Sequence, residues 1–370
     1  MPNVLILKFP YSSVYGGGEK HTITLVEKLQ PNYTFYLLSS CPVLLREFSQ
    51  RHWPTQRLWA GTEPVTPAAL LTFFFTAPII WINLFWHVLQ YKLRHHISVL
   101  FCLSLTEKVL LTPWARLLGI KVIWMEHLQI ERSLRLSPLR LLYVLWSRLA
   151  VVVTVVEAVR DQLMHLGVPN DRIRVIYNAV NIKQFMPHPT PPERLTEEYR
   201  LLFIGRLAPE KGVDDLLTAL ASVKKIIPHV QLTIVGEGAG QADLETLTEE
   251  LALNSIVRFV GFQTNIPEWL QNHDVLVLPA VRRETFGIVL AEALAIVKPV
   301  IATTIGGLTE VVSKHGWIVE PHEPMALAQA IIDVYENYPL AIHRAQAGRL
   351  RVLELFQEQR MVQEYATLFS

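Results

Sequence analysis

The sequence predicts an α/β chain of two doubly wound domains, each a parallel sheet with helices on both faces. Three observations carry that prediction. Short β-branched apolar runs alternate with helical stretches from end to end. The length of 370 residues suits about two domains of ordinary size. A cluster of prolines interrupts the alternation near the middle. Apolar residues make up 51% and charged residues 18% without a low-complexity tract, which excludes a disordered chain.

In the first half the runs VLILK (4–8), TFYLLSS (34–40), VLFCL (99–103), KVIWME (121–126), VVVTVV (151–156) and RVIY (174–177) read as strands. In the second half LLFIG (201–205), QLTIV (231–235), VRFV (257–260), VLVL (275–278) and VIA (300–302) do the same. Runs this apolar suit strands covered on both faces, the habit of parallel sheets. Between the halves, Pro187, Pro189, Pro191 and Pro192 cannot continue a helix or a central strand. The expected division is therefore residues 1–180, a linker at 181–199, a second domain at 200–339, and helices at 340–370 that could return to either domain, the N-terminal one included. No repeat is visible at the scale of 20–50 residues.

The net charge of +1 hides an asymmetry, because residues 1–180 carry 18 Lys+Arg against 10 Asp+Glu and the remainder carries 16 against 23. A basic first half points to an anionic ligand or surface. Nucleic acid is not favoured, since no Lys/Arg-rich run, helix-turn-helix pattern or zinc-finger spacing occurs. Cys41 and Cys102 have no ligand spacing, so a disulfide framework and a zinc site are both unsupported and a reducing compartment fits. The first residues run straight into a strand-like segment without a basic n-region, which leads to the expectation of a cytoplasmic protein, peripheral at most on the cytoplasmic membrane face.

The uncharged stretch 64–91 is long enough to cross a bilayer as one straight helix. Pro78, Asn83, His87 and Gln90 interrupt it. A buried pair of core helices, a membrane-touching surface rich in Phe and Trp, and a true span all fit the pattern. Residues 133–156 contain no acid, and Arg135, Arg140 and Arg148 accompany Leu139, Leu142, Tyr143, Leu145 and Trp146 at helical spacing. That is either a lipid-docking amphipathic helix or a solvated arginine face.

Several loops could carry chemistry. GRLAPEKG (205–212) follows a strand directly, and Arg206 and Lys211 project two cations at the sheet edge where ligands bind in this architecture. Two cations there suit a diphosphate; a solvated surface loop is the plain alternative. VYGGGEKH (14–21) lies between the first strand and a helix, so the backbone at Gly17 and Gly18 could receive a phosphate or sugar oxygen. It is neither GxGxxG nor a P-loop, which disfavours dinucleotide binding and Walker-type hydrolysis. The run 236–240, with Glu237 and Gly238, also fails GxGxxG and reads as a strand-to-helix turn. Glu126 and His127 end a strand, where a histidine can contact a reacting group or serve structure alone.

Glu284 and Glu292 stand eight positions apart around an apolar run. With a helix beginning near Phe286 and Gly287, the amides of Phe286, Gly287 and Ile288 would be free to attract phosphate. Glu292, an acid inside an apolar run, would need donors such as ribose hydroxyls or the backbone. Nothing places the two glutamates across one scissile bond, so a glycosidase-like acid/base pair is less convincing.

Taken in order, the GGGE loop, Glu126–His127, GRLAPEKG, VGEG (235–238), the run from FVGF to DVLVLPA, ETFGIVLAEALA and IGGLTEVV (305–312) resemble the retaining nucleotide-sugar glycosyltransferases of family 4. The resemblance covers most of the chain. It implies two Rossmann-like domains facing across a cleft, the GT-B fold. Arg206 and Lys211 then match the cations that stabilise the departing diphosphate, Glu292 the ribose ligand, and Glu284 the donor-sugar contact. Phe286, Gly287 and Ile288 match amides near phosphate and sugar, His127 the histidine near the transferred sugar, Gly17 and Gly18 the phosphate-side loop, and Glu237 and Gly238 the base-side segment. Such enzymes keep anomeric configuration through an oxocarbenium-like state, with cationic charge in place of a metal and no cofactor beyond the nucleotide-sugar donor. Departures are Val297, Thr285 and Thr309, where the family commonly has Gly, Gly and Pro. A β-branched residue suits a left-handed cap poorly, so a different helix end is expected at Val297.

The expected function is metal-independent transfer of a hexose-type sugar from a nucleoside diphosphate to a glycan or lipid-linked acceptor at a membrane surface, anionic lipid meeting the N-terminal domain. A catalytically silent GT-B subunit that supports a partner enzyme is the alternative from another class; an epimerase or phosphorylase is a third, though no pyridoxal lysine setting is evident.

Overall fold

The computed structural model describes the whole chain except residues 1, 10–15, 62, 65, 128–131, 189–197 and 283. Pro189, Pro191 and Pro192 of the expected linker, and the start of the loop at 14–21, thus lie outside the described residues. Two compact units result, Met1–Tyr177 together with Met361–Ser370, and Asn178–Arg360.

In the first unit β1 (Asn3–Lys8), β2 (Thr34–Ser39), β3 (Thr55–Arg57), β4 (Ile97–Cys102), β5 (Lys121–Glu126), β6 (Val151–Thr154) and β7 (Ile173–Val175) form a sheet in the order β3-β2-β1-β4-β5-β6-β7. In the second, β8 (Tyr199–Ile204), β9 (Val230–Val235), β10 (Val257–Phe259), β11 (Val275–Leu278), β12 (Val300–Thr303) and β13 (Trp317–Val319) order as β10-β9-β8-β11-β12-β13. The pairings are parallel; Leu5 stands between Tyr36 and Leu100, and Leu202 between Thr233 and Leu276. Helices connect successive strands, as parallel pairing demands. Both units are Rossmann-like.

Central strands are apolar on both faces because helices cover both: Val99, Leu100, Phe101 and Cys102 of β4, and all of β11, are buried. The two strands that the patterning misses, β3 and β13, are sheet edges of three residues each. An edge strand needs no two-sided apolar run, so Thr55, Gln56 and Arg57 carry no strand signal. In each sheet the order reverses once, between β1 and β4 and between β8 and β11. Loops leaving the carboxyl ends of those strands diverge to opposite faces and open a crevice there.

The stretch expected as a possible core helix pair is instead one helix, Pro67–His95, of 29 residues. Thr66 caps it by accepting the Ala69 amide, and it continues through Pro78. Phe73, Ile80, Leu84 and Val88 form its buried stripe. It is long and apolar enough to cross a membrane by length and composition, yet most of its apolar window is unburied. The amphipathic helix envisaged with Arg135, Arg140 and Arg148 is likewise two, Arg132–Leu136 and Leu139–Ser147, separated at Ser137 and Pro138.

A second correction concerns Val297. It does occupy the left-handed region, at φ 64°, and the Lys298 amide closes the turn on the Ala293 carbonyl at 2.9 Å. The glycine-type helix end is therefore kept without glycine. Left-handed backbone costs about 1–2 kcal/mol at such a residue, and burial of the Val297 side chain offsets it.

The final helix, Glu358–Phe369, buries Met361, Tyr365 and Phe369. Phe369 meets Tyr33, Phe35 and Phe101, and the Tyr365 hydroxyl lies 3.1 Å from the Met125 sulfur. These contacts attach the chain end to the first sheet.

Candidate active site

The reversal between β8 and β11 explains why residues far apart in sequence meet in the second unit. The loop after β8 carries Arg206 and, through a short 3₁₀ turn at Pro209–Lys211, Lys211. The loop after β11 carries Glu284 and ends at Gly287, from which the helix Ile288–Ala295 starts. Lys211 and Glu284 form an ion pair, their side chains only 16% and 17% exposed. The other Glu284 oxygen accepts the Gly287 amide at 3.1 Å. Arg206 pairs with Glu210 at 3.0 Å and is more solvated. The Glu210 carbonyl in turn accepts the amides of Val281 and Arg282 at 3.0 and 3.3 Å, fastening the two loops together. Sequence reasoning gave Glu210 no role, since only its spacing from Arg206 was visible there.

Neighbouring loops close on the same edge. Leu207 donates to the Glu237 carbonyl at 2.9 Å, and the Gly236 amide to Gly261 at 2.9 Å. Gly236 has φ 136°, and a Cβ there would fall 1.9 Å from the Gly205 carbonyl oxygen. Only glycine permits that approach. At Gly238 a Cβ would meet the Leu207 carbonyl at 2.1 Å. The Glu237 side chain accepts the Phe262 amide at 3.2 Å.

Helix Ile288–Ala295 starts one residue later than the patterning suggests, with Gly287 at φ 70° as its cap. The Gly287 amide is therefore bonded to Glu284 rather than free, which corrects the expectation for that donor. Phe286 is buried, its ring 5.3 Å from that of Phe356. Glu292 lies within the helix at 4% exposure among buried Leu290, Ala291, Ala293 and Leu294. The two glutamates thus have different settings: Glu284 holds a cation on a loop, and Glu292 is embedded in an apolar helix.

In the first unit the helix Gly17–Leu29 follows β1 and His127 follows β5. A Cβ on Gly18 would sit 3.3 Å from the His127 ring, so the two are in near contact. Glu19 pairs with Lys8. His127 is half-buried with Nε2 lacking a hydrogen-bond partner, and burial, then the neighbouring His21, hold its pKa well below the ordinary value. It is a neutral imidazole at neutral pH. His21, to which the sequence reading assigned nothing, stands edge-on to it with ring centroids 4.8 Å apart. Glu126 is committed elsewhere: it accepts from Lys108 at 2.7 Å and from the Tyr143 hydroxyl at 2.6 Å.

The second unit thus brings Arg206, Lys211, Glu284 and Gly287 to one switch point, with Glu237 and Gly238 on an adjoining loop; the first brings Gly18 beside His127. Among the described residues no group of three or more His, Cys, Asp or Glu gathers as a metal site. Two cations, each held by a carboxylate that an incoming anion can displace, can bind and stabilise a diphosphate.

Comparison with known proteins agrees with this architecture. Residues 15–184 match the family model of Glycosyltransferase Family 4, and residues 189–351 that of Glycosyl transferases group 1. An uncharacterized glycosyltransferase of Methanocaldococcus jannaschii, MJ1607, is 28% identical over 234 residues, 59% of each chain. The N-acetyl-alpha-D-glucosaminyl L-malate synthase of Bacillus anthracis is 28% identical over 230 residues, again 59% of each. The chain thus spans little more than half the length of these curated relatives. The crystal structure of Anabaena Alr3699/HepE in complex with UDP superposes with a TM-score of 0.83 at 20% identity, covering 100% of this chain and 99% of that one. With the two models matching successive halves and the fold shared throughout, the chain has the GT-B fold and is related in its first half to Glycosyltransferase Family 4 and in its second to Glycosyl transferases group 1.

Proposed function

We propose that the chain is a retaining glycosyltransferase of the family-4 type that moves a hexose-type sugar from a nucleoside diphosphate to a glycan or lipid-linked acceptor at a membrane surface. One observation carries the reading: the Lys211–Glu284 pair and the Arg206–Glu210 pair stand together where the order of the second sheet reverses. A diphosphate entering there exchanges carboxylate partners for phosphate oxygens. Glu292 then takes the ribose hydroxyls, and the Glu237–Gly238 loop lies toward the base. UDP, the ligand of the Anabaena structure, is the first nucleotide to try.

The bond between the anomeric carbon and the phosphate oxygen breaks toward the leaving group, whose growing negative charge Arg206 and Lys211 stabilise. The acceptor hydroxyl adds to the anomeric carbon from the face that the phosphate leaves, and its proton passes to the departing phosphate oxygen. Preorganised charge of this kind contributes on the order of several kcal/mol to a transition state. Neutral His127 can donate or accept a hydrogen bond to the sugar without adding charge.

The test is nucleotide release with UDP-, GDP- and ADP-sugars, followed by NMR of the product anomer. Release of one nucleotide with the donor's anomeric configuration kept is the expected result. An inverted product, or no release with any donor, would overturn the proposal.

A further inference from the structure

The helix Pro67–His95 presents a face that the first unit leaves uncovered. Phe74, Phe75, Ile79, Ile82 and Trp86 recur at helical spacing and are each between 56% and 76% exposed. Scattered exposed apolar side chains are ordinary, but a continuous stripe of this kind marks an interaction surface. The opposite stripe is bound to the unit along its length. Asn83 donates to the Trp59 carbonyl at 3.1 Å, the Tyr91 hydroxyl donates to Gln56 at 3.1 Å, and the Trp81 ring lies 5.2 Å from that of Trp114. A helix fastened sideways to a folded unit by three side chains between Trp81 and Tyr91 cannot also thread a bilayer.

Charge identifies the occupant. Between residues 67 and 149 Arg94, Arg116, Arg135, Arg140 and Arg148 are exposed, whereas the described carboxylates are Glu107, which is buried, and Glu126, which is bound to Lys108 and Tyr143. The helix Leu105–Leu117 packs against both Pro67–His95 and Leu139–Ser147. Beside the last of these runs an open groove of about 470 Å³, lined by Arg140, Leu141, Val144, Leu145, Arg148 and Leu166. An apolar face accompanied by arginines, and with no exposed carboxylate among the described residues of 67–149, repels a second copy of itself and attracts anionic lipid.

We propose that Pro67–His95 lies in the plane of an anionic lipid surface, its Phe74–Trp86 face inserted among the acyl chains while the arginines meet headgroup phosphates. This deepens the membrane-surface reading above and rests on it. The protein is then held on the surface by one helix side rather than by a span.

The test is flotation of the full chain with phosphatidylcholine vesicles, with and without about 30 mol % phosphatidylglycerol, for the unsubstituted protein and for Phe75→Glu/Ile79→Glu. Expected are binding to the anionic vesicles, weakening with salt, release by alkaline carbonate, and a loss of at least about tenfold in partitioning for the double variant. The melting temperature of that variant should match the parent, since both side chains are outside the core. Absence of anionic binding, equal binding to neutral vesicles, or resistance to carbonate would overturn the proposal. So would a dimer in solution that the double variant dissociates, which would assign the face to a second copy. Nucleotide release measured on the same samples separates the two readings. Vesicle binding without release from any donor fells the transferase reading alone, and release without vesicle binding fells the lipid surface alone.

Discussion

Lys211 and Glu284, 73 residues apart, form an ion pair whose carboxylate also accepts the Gly287 amide. The pair joins the loop after β8 to the start of the helix after β11. It keeps the ammonium directed at the switch point instead of trailing in solvent, so the charge needs little reorganisation when phosphate arrives.

Lys211→Met should therefore lower kcat for sugar transfer by about 100-fold or more while the fold survives. Lys211→Arg should rescue only part, because a planar guanidinium does not reproduce a point charge held by one carboxylate. Steady-state rates together with melting curves decide it. A variant that melts like the parent and turns over at the parental rate would remove Lys211 from the chemistry.

Much of this arrangement was legible before the fold was known, and the limits have physical causes. VLVL of β11 and LLFI of β8 announce buried parallel strands because both of their faces are covered. Arg206 and Lys211 could be placed at a strand end from spacing alone. That Glu284 would pair with Lys211 was not legible, since it depends on β8 and β11 being neighbours, a property of strand order. The edge strand β3 (Thr55–Arg57) has no apolar residue, and β13 (Trp317–Val319) is apolar but only three residues long, too short to stand out as a strand. Val297 shows the opposite case, a local preference that tertiary packing overrides. His21 reads from sequence as the last residue of the loop 14–21, and only the fold reveals it on a helix against His127 and Tyr365.

Gly236 should tolerate no side chain. Gly236→Ala places a Cβ 1.9 Å from the Gly205 carbonyl at φ 136°, so the loops after β8 and β9 must part. The expected cost is about 3 kcal/mol or more, with KM for the donor raised as Arg206 shifts. Gly240→Ala is the control: its nearest neighbour would be the Leu207 carbonyl at 3.3 Å, without positive φ. Equal melting temperatures for the two variants would contradict the close approach.

Glu292 should matter to nucleotide affinity more than to stability when replaced by glutamine, which keeps its size. Glu292→Gln is expected to weaken UDP binding about tenfold, a change of about 1.4 kcal/mol. The UDP-induced rise in melting temperature should shrink accordingly, because a ligand stabilises only the state it binds. Calorimetric titration of UDP into both proteins measures it directly, and equal dissociation constants would dismiss the ribose role.

His21 makes the first unit sensitive to acid. Both ring nitrogens lack hydrogen-bond partners, and burial lowers the pKa from 6.5 to about 4. Between these values the unfolded chain holds a proton that the folded chain excludes. Its contribution is complete above the unfolded pKa, and stability is lost as pH falls from 6.5 toward 4. At pH of about 5 the loss from this one ring is about 2 kcal/mol. His273 in the second unit, also lowered to about 4 by burial, acts in the same direction. His21→Phe removes the proton site and keeps an aromatic ring against Tyr365, 5.5 Å away in the parent. Melting temperature followed between about pH 4 and 7.5 should therefore fall less steeply in the variant, with the gap between the proteins widening on the acid side. Parallel curves would mean that His21 is protonated, or partnered, in the folded chain.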